Sequence, residues 1–310
     1  MVYTIIGDIH ATLKDTDKVN HLFDIIEQIG NPTILLGDLL DNKAIVRAEC
    51  LNLYYKRFKE SKLNFIVLVG NHDLISLDSK EHSLETLKEL KNVTIIDEPQ
   101  VIDNVFFVPY IHDLVALKSV LASNSVDTLM IHQGIVGYDY GNGYKAEEGV
   151  VKEQLSSFKR VIAGHFHKYQ HEDKLTFLGT PFSKSFGETD QDKFIACYET
   201  ETQSLELIKS NFPQHKSLNV DCSSPQEINL VEGDIYRFIL NGTQEQINSF
   251  PKKEYLNVRF IERPTDEFET SVSIDETVDC VSQFEDWARN IKGVDDETVK
   301  IGAEILRSCK

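Results

Sequence analysis

Five apolar runs in this chain stop at side chains that can hold a cation. "YTIIGDIH" ends in Asp8 and His10, "TILLGDLLD" in Asp38 with Asp41 behind it, and "FIVLVGNHD" in Asn71, His72 and Asp73. "TLMIHQG" supplies His132, and "VIAGHFH" supplies His165 and His167. Core packing has no use for such polar groups at the end of a buried strand. The donors are oxygen and imidazole nitrogen with no thiolate, which suits Mn²⁺, Fe²⁺ or Zn²⁺ better than Ca²⁺ or an iron–sulfur cluster. Such a donor set exceeds the needs of one ion. Two ions about 3.5–4 Å apart, sharing a carboxylate, would use them all. Taken singly, each motif has an ordinary reading as a capped turn or a surface imidazole. Taken together, with Gly7, Gly37, Gly70 and Gly164 directly before ligands, they point to a binuclear centre.

Spacing adds an expectation. Asp8 and His10 are two residues apart, as are His165 and His167. On extended backbone, residues i and i+2 share a side, so each pair is expected to aim at one point.

The elements that must carry these residues are legible as periodicities. Strands are expected at Val2–Ile6, Thr33–Leu36, Asn64–Val69, Val93–Ile96, Val105–Val108, Thr128–Ile131 and Arg160–Ala163. Val19, Leu22, Phe23, Ile26 and Ile29 mark one helical face, with Gly30 as its stop. "AIVRAECLNLYYKRFKESK" and "SLETLKEL" are the next helical patterns. Strand–helix alternation argues for βαβ units and a mainly parallel sheet, with ligands gathered outside the carboxyl ends of its strands. Asp103-Asn104 reads as a hairpin turn. "KLTFLGTP", "DKFIACYET" and "SLELIKS" read as strands of a more antiparallel sheet, and "NFPQHKS" as a linker. "DIYRFILNG", "TQEQINSF" and "YLNVRFIER" read as strand, helix, strand. From Asp275 the pattern is helical again, with an apolar stripe of Val278, Val281, Phe284, Trp287 and Ile291 and a second stretch, "DDETVKIGAEILRS".

Composition bounds the function. The 310 residues are 41% hydrophobic and 26% charged, an ordinary globular balance. A formal net charge of −18 repels phosphate backbones, so tight unaided binding to nucleic acid is not expected, although bound cations would invert the sign locally. Five dispersed cysteines without a CxxC pair read as reduced thiols of a cytoplasmic protein. No signal peptide, membrane span or internal repeat is expected.

The series GDIH, GDLLD, GNHD, a lone His and GHFH resembles the calcineurin-like metallophosphoesterase superfamily over residues 1 to about 210. The resemblance implies an α/β (α+β) fold, a two-sheet β-sandwich flanked by helices. It implies that Asp8, His10 and His167 hold one ion and that Asn71, His132 and His165 hold the other. Asp38 would bridge them, and His72 would be the catalytic histidine beside the substrate. Asp41 is expected behind the ligands. Asp73 is expected to orient a histidine there, or alternatively to cap a helix at the surface.

Within the superfamily, Ala11, "DNK" and Asp73 depart from the protein serine/threonine phosphatase pattern. "FLGTPFSKSFGE" and "NVFFVPYIHD" are instead similar to segments of SbcD-type DNA exonuclease subunits, the bacterial and phage relatives of the double-strand-break repair nuclease. One departure is Asp41, where several members carry histidine after GDxF.

That branch implies a nuclease domain at 1–212, a small α/β capping domain at 213–270 and a helical partner-binding tail at 271–310. It also implies an SbcC-type coiled-coil ATPase partner, a homodimer, no membrane, and a bacterial or phage-infected host cytoplasm. The implied activity is Mn²⁺-dependent exonuclease and endonuclease cleavage of DNA in recombination and repair. A hydroxide shared by two ions would attack phosphorus in line. Arg237, Lys252, Lys253, Arg259 and Arg263 are candidate phosphate contacts, with scattered surface charge as the plainer reading. The tail stripe either packs on the protein's own core or docks on the partner. The competing functions are a small-molecule or cyclic-nucleotide phosphodiesterase and, less favoured because every ligand is present, a non-catalytic scaffold.

Overall fold

The computed structural model describes residues 1–43, 45–77, 79–123, 126–141, 143–224, 227–265, 279–291 and 294–308. Along the chain run β1 (Val2–Ile6), α1 (Thr16–Ile29), β2 (Thr33–Leu35), α2 (Ala48–Glu60), β3 (Phe65–Leu68), β4 (Val93–Ile96), β5 (Gln100–Ile102) and β6 (Val105–Val108). Then come α3 (Leu114–Ala122), β7 (Thr128–His132), β8 (Arg160–Gly164), β9 (Gln170–Glu172), β10 (Leu175–Phe177), β11 (Phe194–Glu199) and β12 (Ser204–Lys209). The last elements are β13 (His215–Asp221), β14 (Ile235–Gly242), α4 (Gln244–Ser249), β15 (Arg259–Pro264), α5 (Cys280–Asp286) and α6 (Asp296–Ser308).

Two six-stranded sheets carry the first part of the chain, in the orders β12-β11-β1-β2-β3-β4 and β5-β6-β7-β8-β10-β9. Each is parallel at its centre and antiparallel at an edge. The period-two alternation of the strands explains how the sheets stack. Tyr3, Ile5, Ile34, Leu36, Ile66 and Leu68 of the first sheet share a buried cluster with Val105, Phe107, Met130 and Ile162 of the second. Their neighbours Ile6, Leu35 and Val67 point the other way, into a cluster with Val19, Leu22, Phe23, Tyr54 and Phe58 of α1 and α2. Phe106, Leu129, Ile131 and Val161 do the same toward Leu117 and Leu121 of α3. The result is two facing sheets with helices on both outer faces. Met130 and Ile162 are fully buried between the sheets, and truncating either to alanine costs about 2–5 kcal/mol.

The local signals act where they were read. Gly30 ends α1 in the left-handed conformation at φ 77°. Asp103 and Asn104 both have positive φ, 49° and 61°, as a tight β5–β6 hairpin requires. Three expectations change. "SLETLKEL" forms only a 3₁₀ turn at Glu85–Glu89, because Leu84, Leu87 and Leu90 are buried at a spacing of three and the stretch is too short to sustain an α-helix. The strands after Gly164 do not form a sheet of their own. β11 and β12 extend the first sheet beside β1, and β10 joins the second parallel to β8. The expected linker at 211–217 already enters β13 at His215.

β13, β14 and β15 form a three-stranded sheet in that order. The chain divides into two compact units: Met1–Leu218, Glu227–Phe238 and Tyr255–Phe260 make one, and Asn219–Gln226, Ile239–Glu254 and Ile261–Lys310 the other. In the second unit α4 opens with a capping box. Thr243 Oγ1 accepts the Gln246 amide at 3.3 Å and Gln246 Oε1 accepts the Thr243 amide at 2.8 Å. Val281 and Ala288 are buried, as are Val299 and Ala303 of α6. A Cβ on Gly302 would meet the Phe284 ring at 2.6 Å. Part of the apolar stripe is therefore used inside this helical pair; Val278 and the Ile291 side chain lie outside the described residues. No helix among the described residues is long and apolar enough to cross a membrane.

Candidate metal centre

Register brings the candidate ligands level. Ile6 pairs with Leu35 and Leu35 with Val67, so the chain leaves the first sheet at one height three times, and Asp8, Asp38 and Asn71 follow. In the facing sheet His132 pairs with Gly164, one residue before His165. Two glycines are required by close approach rather than by flexibility. A Cβ on Gly70 would lie 2.2 Å from Asp38 Oδ1, and one on Gly164 would lie 2.6 Å from Asp8 Oδ1.

The ligand atoms assemble into overlapping groups: Asp8, His10 and His167; His10, Asp38 and His72; Asp38, His132 and His165. Within each group they lie within 4.8 Å of one another. Asn71 Oδ1 is 3.1 Å from His132 Nε2 and 2.8 Å from His165 Nδ1. His10 Nε2 and His167 Nε2 face each other at 3.0 Å, and Asp38 Oδ2 lies 3.4 Å from His10 Nε2 and 3.3 Å from His132 Nε2. The expectation that each i, i+2 pair aims at one point is met by Asp8 and His10 and fails for His165 and His167. His10, Asp38 and His165 have φ of 47°, 48° and 94°, so their chain turns sharply after each strand. His165 and His167 consequently face different groups, while Asp8 and His10 share one.

Backbone groups hold these side chains. His165 N donates to Asp8 Oδ2 and His72 N to Asp38 Oδ1, each at 2.7 Å. His132 Nδ1 donates to the Leu36 carbonyl at 2.7 Å, which leaves Nε2 for the centre. His72 is half-buried, and its Nδ1 donates to the Asp41 carbonyl at 2.5 Å, leaving its own Nε2 available. Asp41 thus supports His72 through its backbone; its carboxylate is 43% exposed and 3.9 Å from His10 Nδ1. Asp73 is fully buried, which removes the surface-cap reading. Its Oδ1 accepts Leu39 N at 3.1 Å and Leu40 N at 3.3 Å, and its Oδ2 accepts Gly70 N at 3.0 Å. It ties the GDLLD and GNHD loops together and makes no bond to a histidine ring.

The electrostatics call for a cation. Burial pushes the Asp8 carboxyl up to about 7 despite the pull of His132, and Asp38 adds to the rise. Burial opposes protonation of His132, yet the carboxylates of Asp38 and Asp8 lift it to about 9. Burial, helped by the positive charge of His132, drops His165 to about 3 and keeps it neutral. Asp8 Oδ1 and His10 Nδ1 are buried without a hydrogen-bond partner among the described residues. Buried, crowded oxygen and imidazole donors with an orphaned carboxylate oxygen fit divalent cations. A further group, His82, Glu85 and Asp97, differs. Lys88 bridges its two carboxylates at 2.7 Å each, and the Leu84 amide occupies His82 Nδ1, so Nε2 carries a proton.

Glu188 escaped the sequence reading. Its Oε1 accepts from His167 Nδ1 at 3.2 Å. Its only trace in the sequence is its place at the end of "FLGTPFSKSFGE", and no spacing rule links it to a histidine 21 residues earlier. Tyr110, whose ring stacks at 6.1 Å on His165, was missed for the same reason.

Ligands of this kind at the strand ends of two facing mixed sheets define a metal-dependent phosphoesterase, and the chain belongs to the calcineurin-like phosphoesterase family, whose pattern matches residues 1–169. Exonuclease subunit 1 of Enterobacteria phage T4 is 23% identical over 235 residues, 69% of this chain and 69% of that protein. Among solved structures, the chain is similar to an archaeal phosphodiesterase at 19% identity and TM-score 0.38, covering 67% of this chain and 99% of that one. It is also similar to a hypothetical protein from Thermus thermophilus at 12% identity and TM-score 0.40, covering 68% and 100%.

Proposed function

We propose that this chain is the nuclease subunit of a two-component DNA-processing enzyme, hydrolysing phosphodiesters with two Mn²⁺ ions. The observation that carries this reading is the convergence of seven donors from five strand ends, with a buried carboxylate oxygen left unsatisfied. Asp8, His10 and His167 would hold one ion, Asn71, His132 and His165 the other, and Asp38 both. Such a pair supplies an activated water and neutralises the charge of a phosphodiester. The chain's own residues do the rest. Asp38, pinned by the His72 amide, keeps the two groups in register. His72, held through Nδ1 with Nε2 left available beside His10 and Asp38, gives a proton to the leaving oxygen. Asp73 and the Asp41 carbonyl hold the loops that carry these groups.

DNA as substrate is supported by the relative named as an exonuclease subunit, a word that also points to a partner. A net charge of −18 suits a catalytic subunit that does not grip DNA alone. In this reading an SbcC-type ATPase supplies much of the DNA contact and a homodimer adds surface. Residues 1–212 do the chemistry, 213–270 cap the substrate and 271–310 bind the partner; residues 266–278 lie outside the described residues. Lys253, Arg259 and Arg263 are exposed and suited to phosphates, whereas Arg237 is engaged by Ser217 and Lys252 by Glu262. On α6, Ile301 is 55% exposed, as a docking helix requires.

The test compares linear duplex DNA, bis-p-nitrophenyl phosphate and a cyclic nucleotide with Mn²⁺, with and without a coiled-coil ATPase encoded beside the gene. Cleavage of DNA that the ATPase stimulates supports the proposal. Efficient turnover of the cyclic nucleotide with inert DNA would assign a small-molecule phosphodiesterase instead.

A further inference from the structure

Behind the centre lies a buried ion pair that ordinary packing does not explain. Lys193 is 1% exposed and Glu188 is 8% exposed, and Lys193 Nζ lies 2.8 Å from Glu188 Oε2. Burying two charges costs several kcal/mol in desolvation, and well-packed apolar residues often serve stability as well or better. The pair therefore needs a reason other than stability.

Its contacts supply one, because both members grasp His167. Glu188 Oε1 accepts from the ring Nδ1 at 3.2 Å, while Lys193 Nζ donates to the His167 carbonyl at 3.0 Å. One residue sets the ring and the other sets the backbone that carries it. Each is itself held: Lys193 donates to Thr180 Oγ1 at 2.8 Å, and Glu188 Oε2 accepts the Lys184 amide at 3.1 Å. With Nδ1 engaged, His167 Nε2 is directed at His10 Nε2, in the group with Asp8. Carboxylate support also makes an imidazole a more basic ligand. His132 and His72 lean on backbone carbonyls instead, of Leu36 and Asp41.

We infer that Glu188 and Lys193 are positioning residues, a buried pair that fixes His167 as a ligand and strengthens the cation site of Asp8, His10 and His167 without strengthening the site of Asn71, His132 and His165. The inference rests on the two-ion reading above.

The experiment is Mn²⁺ titration of the full chain, followed by calorimetry and electron paramagnetic resonance, for wild type, Glu188→Gln, Lys193→Met and the double variant. Glu188→Gln keeps the size and an acceptor but removes the charge. It is expected to weaken one of two Mn²⁺ sites by about 10–100-fold and leave the other unchanged. Lys193→Met strands a buried carboxylate, so its melting temperature falls. The double variant removes both charges; it is expected to recover the melting temperature and retain the loss at one site. Wild-type affinity at both sites in Glu188→Gln and in the double variant overturns the inference and leaves a merely structural pair. Equal weakening of both sites overturns it as well. Failure of the wild type itself to take up Mn²⁺ would instead strike the two-ion reading, and the inference with it.

Discussion

Asp38 Oδ1 accepts the backbone amide of His72 at 2.7 Å, so the carboxylate shared by two ligand groups is fastened to the loop carrying the proposed proton donor. Asp38 also holds φ at 48°, a conformation that side chains other than glycine rarely adopt. Asp38→Ala is expected to lose both Mn²⁺ uptake and phosphodiesterase activity. Two tightly held ions in that variant, measured by equilibrium dialysis, would contradict the shared-ligand assignment.

His72→Ala separates binding from turnover. Its ring is held through Nδ1 by a backbone carbonyl rather than by another donor side chain, so removing it leaves the other donors in place. Turnover is expected to fall by about 10²–10⁴-fold, the usual contribution of a positioned acid or base, with Mn²⁺ stoichiometry unchanged. An undiminished kcat would remove His72 from the chemistry.

Asp73 carries structure rather than reaction. Its three backbone amides would be left buried and unpaired in Asp73→Ala, which is expected to cost about 3 kcal/mol. Urea unfolding gives the value directly. A change below about 0.5 kcal/mol, the range of ordinary surface substitutions, would show that the loops do not depend on it.

Gly70→Ala probes close approach. The added methyl would meet Asp38 Oδ1 at 2.2 Å, and neither the oxygen nor the neighbouring Asp38 amide at 2.4 Å is the end of a flexible chain. Mn²⁺ affinity is expected to drop by about tenfold or more while circular dichroism stays that of the wild type. Unaltered affinity would mean that the loops part without consequence.

Metal-free protein should also show a characteristic pH dependence. Asp38 and Asp8 lift His132 from its ordinary 6.5 to about 9 against the effect of burial. A raised folded-state value contributes stability that is complete below 6.5 and is lost as pH climbs through about 9. Asp8, raised by burial to about 7, acts in the same direction as pH passes that value. The melting temperature of the metal-free chain is therefore expected to decline by roughly 5 °C between these limits. Mn²⁺ affinity should rise over the same interval, because the ion must displace those protons. A flat melting profile together with pH-independent Mn²⁺ binding would refute the coupling.

The five strand ends that carry candidate ligands were readable because each couples an apolar run to a polar stop, and both are local patterns. Gly30 and Asp103-Asn104 were readable because their positive φ is a local demand. β10, β11 and β12 were visible as strands, but the sheets they join were not, since β11 pairs with β1 more than a hundred residues away and β10 pairs with β8 across the GHFH loop. The same limit hid Glu188, whose bond to His167 forms only after the 3₁₀ turn at Phe186–Glu188 folds against the GHFH loop. Asp73 was seen but misplaced, because its partners Leu39 and Leu40 belong to another strand end.

By itself, the sequence determined the donor set, its chemistry and the strands that end in it, because residue type and short-range periodicity are properties of a chain before it folds. Tertiary structure alone decided that His165 and His167 turn toward different groups, that Asp73 clamps two loops, and that Glu188 and Lys193 stand behind His167. Those relationships are set by the register of parallel strands and by sharp turns at His10, Asp38 and His165, which bring side chains within 3 to 5 Å from segments with no fixed separation along the chain.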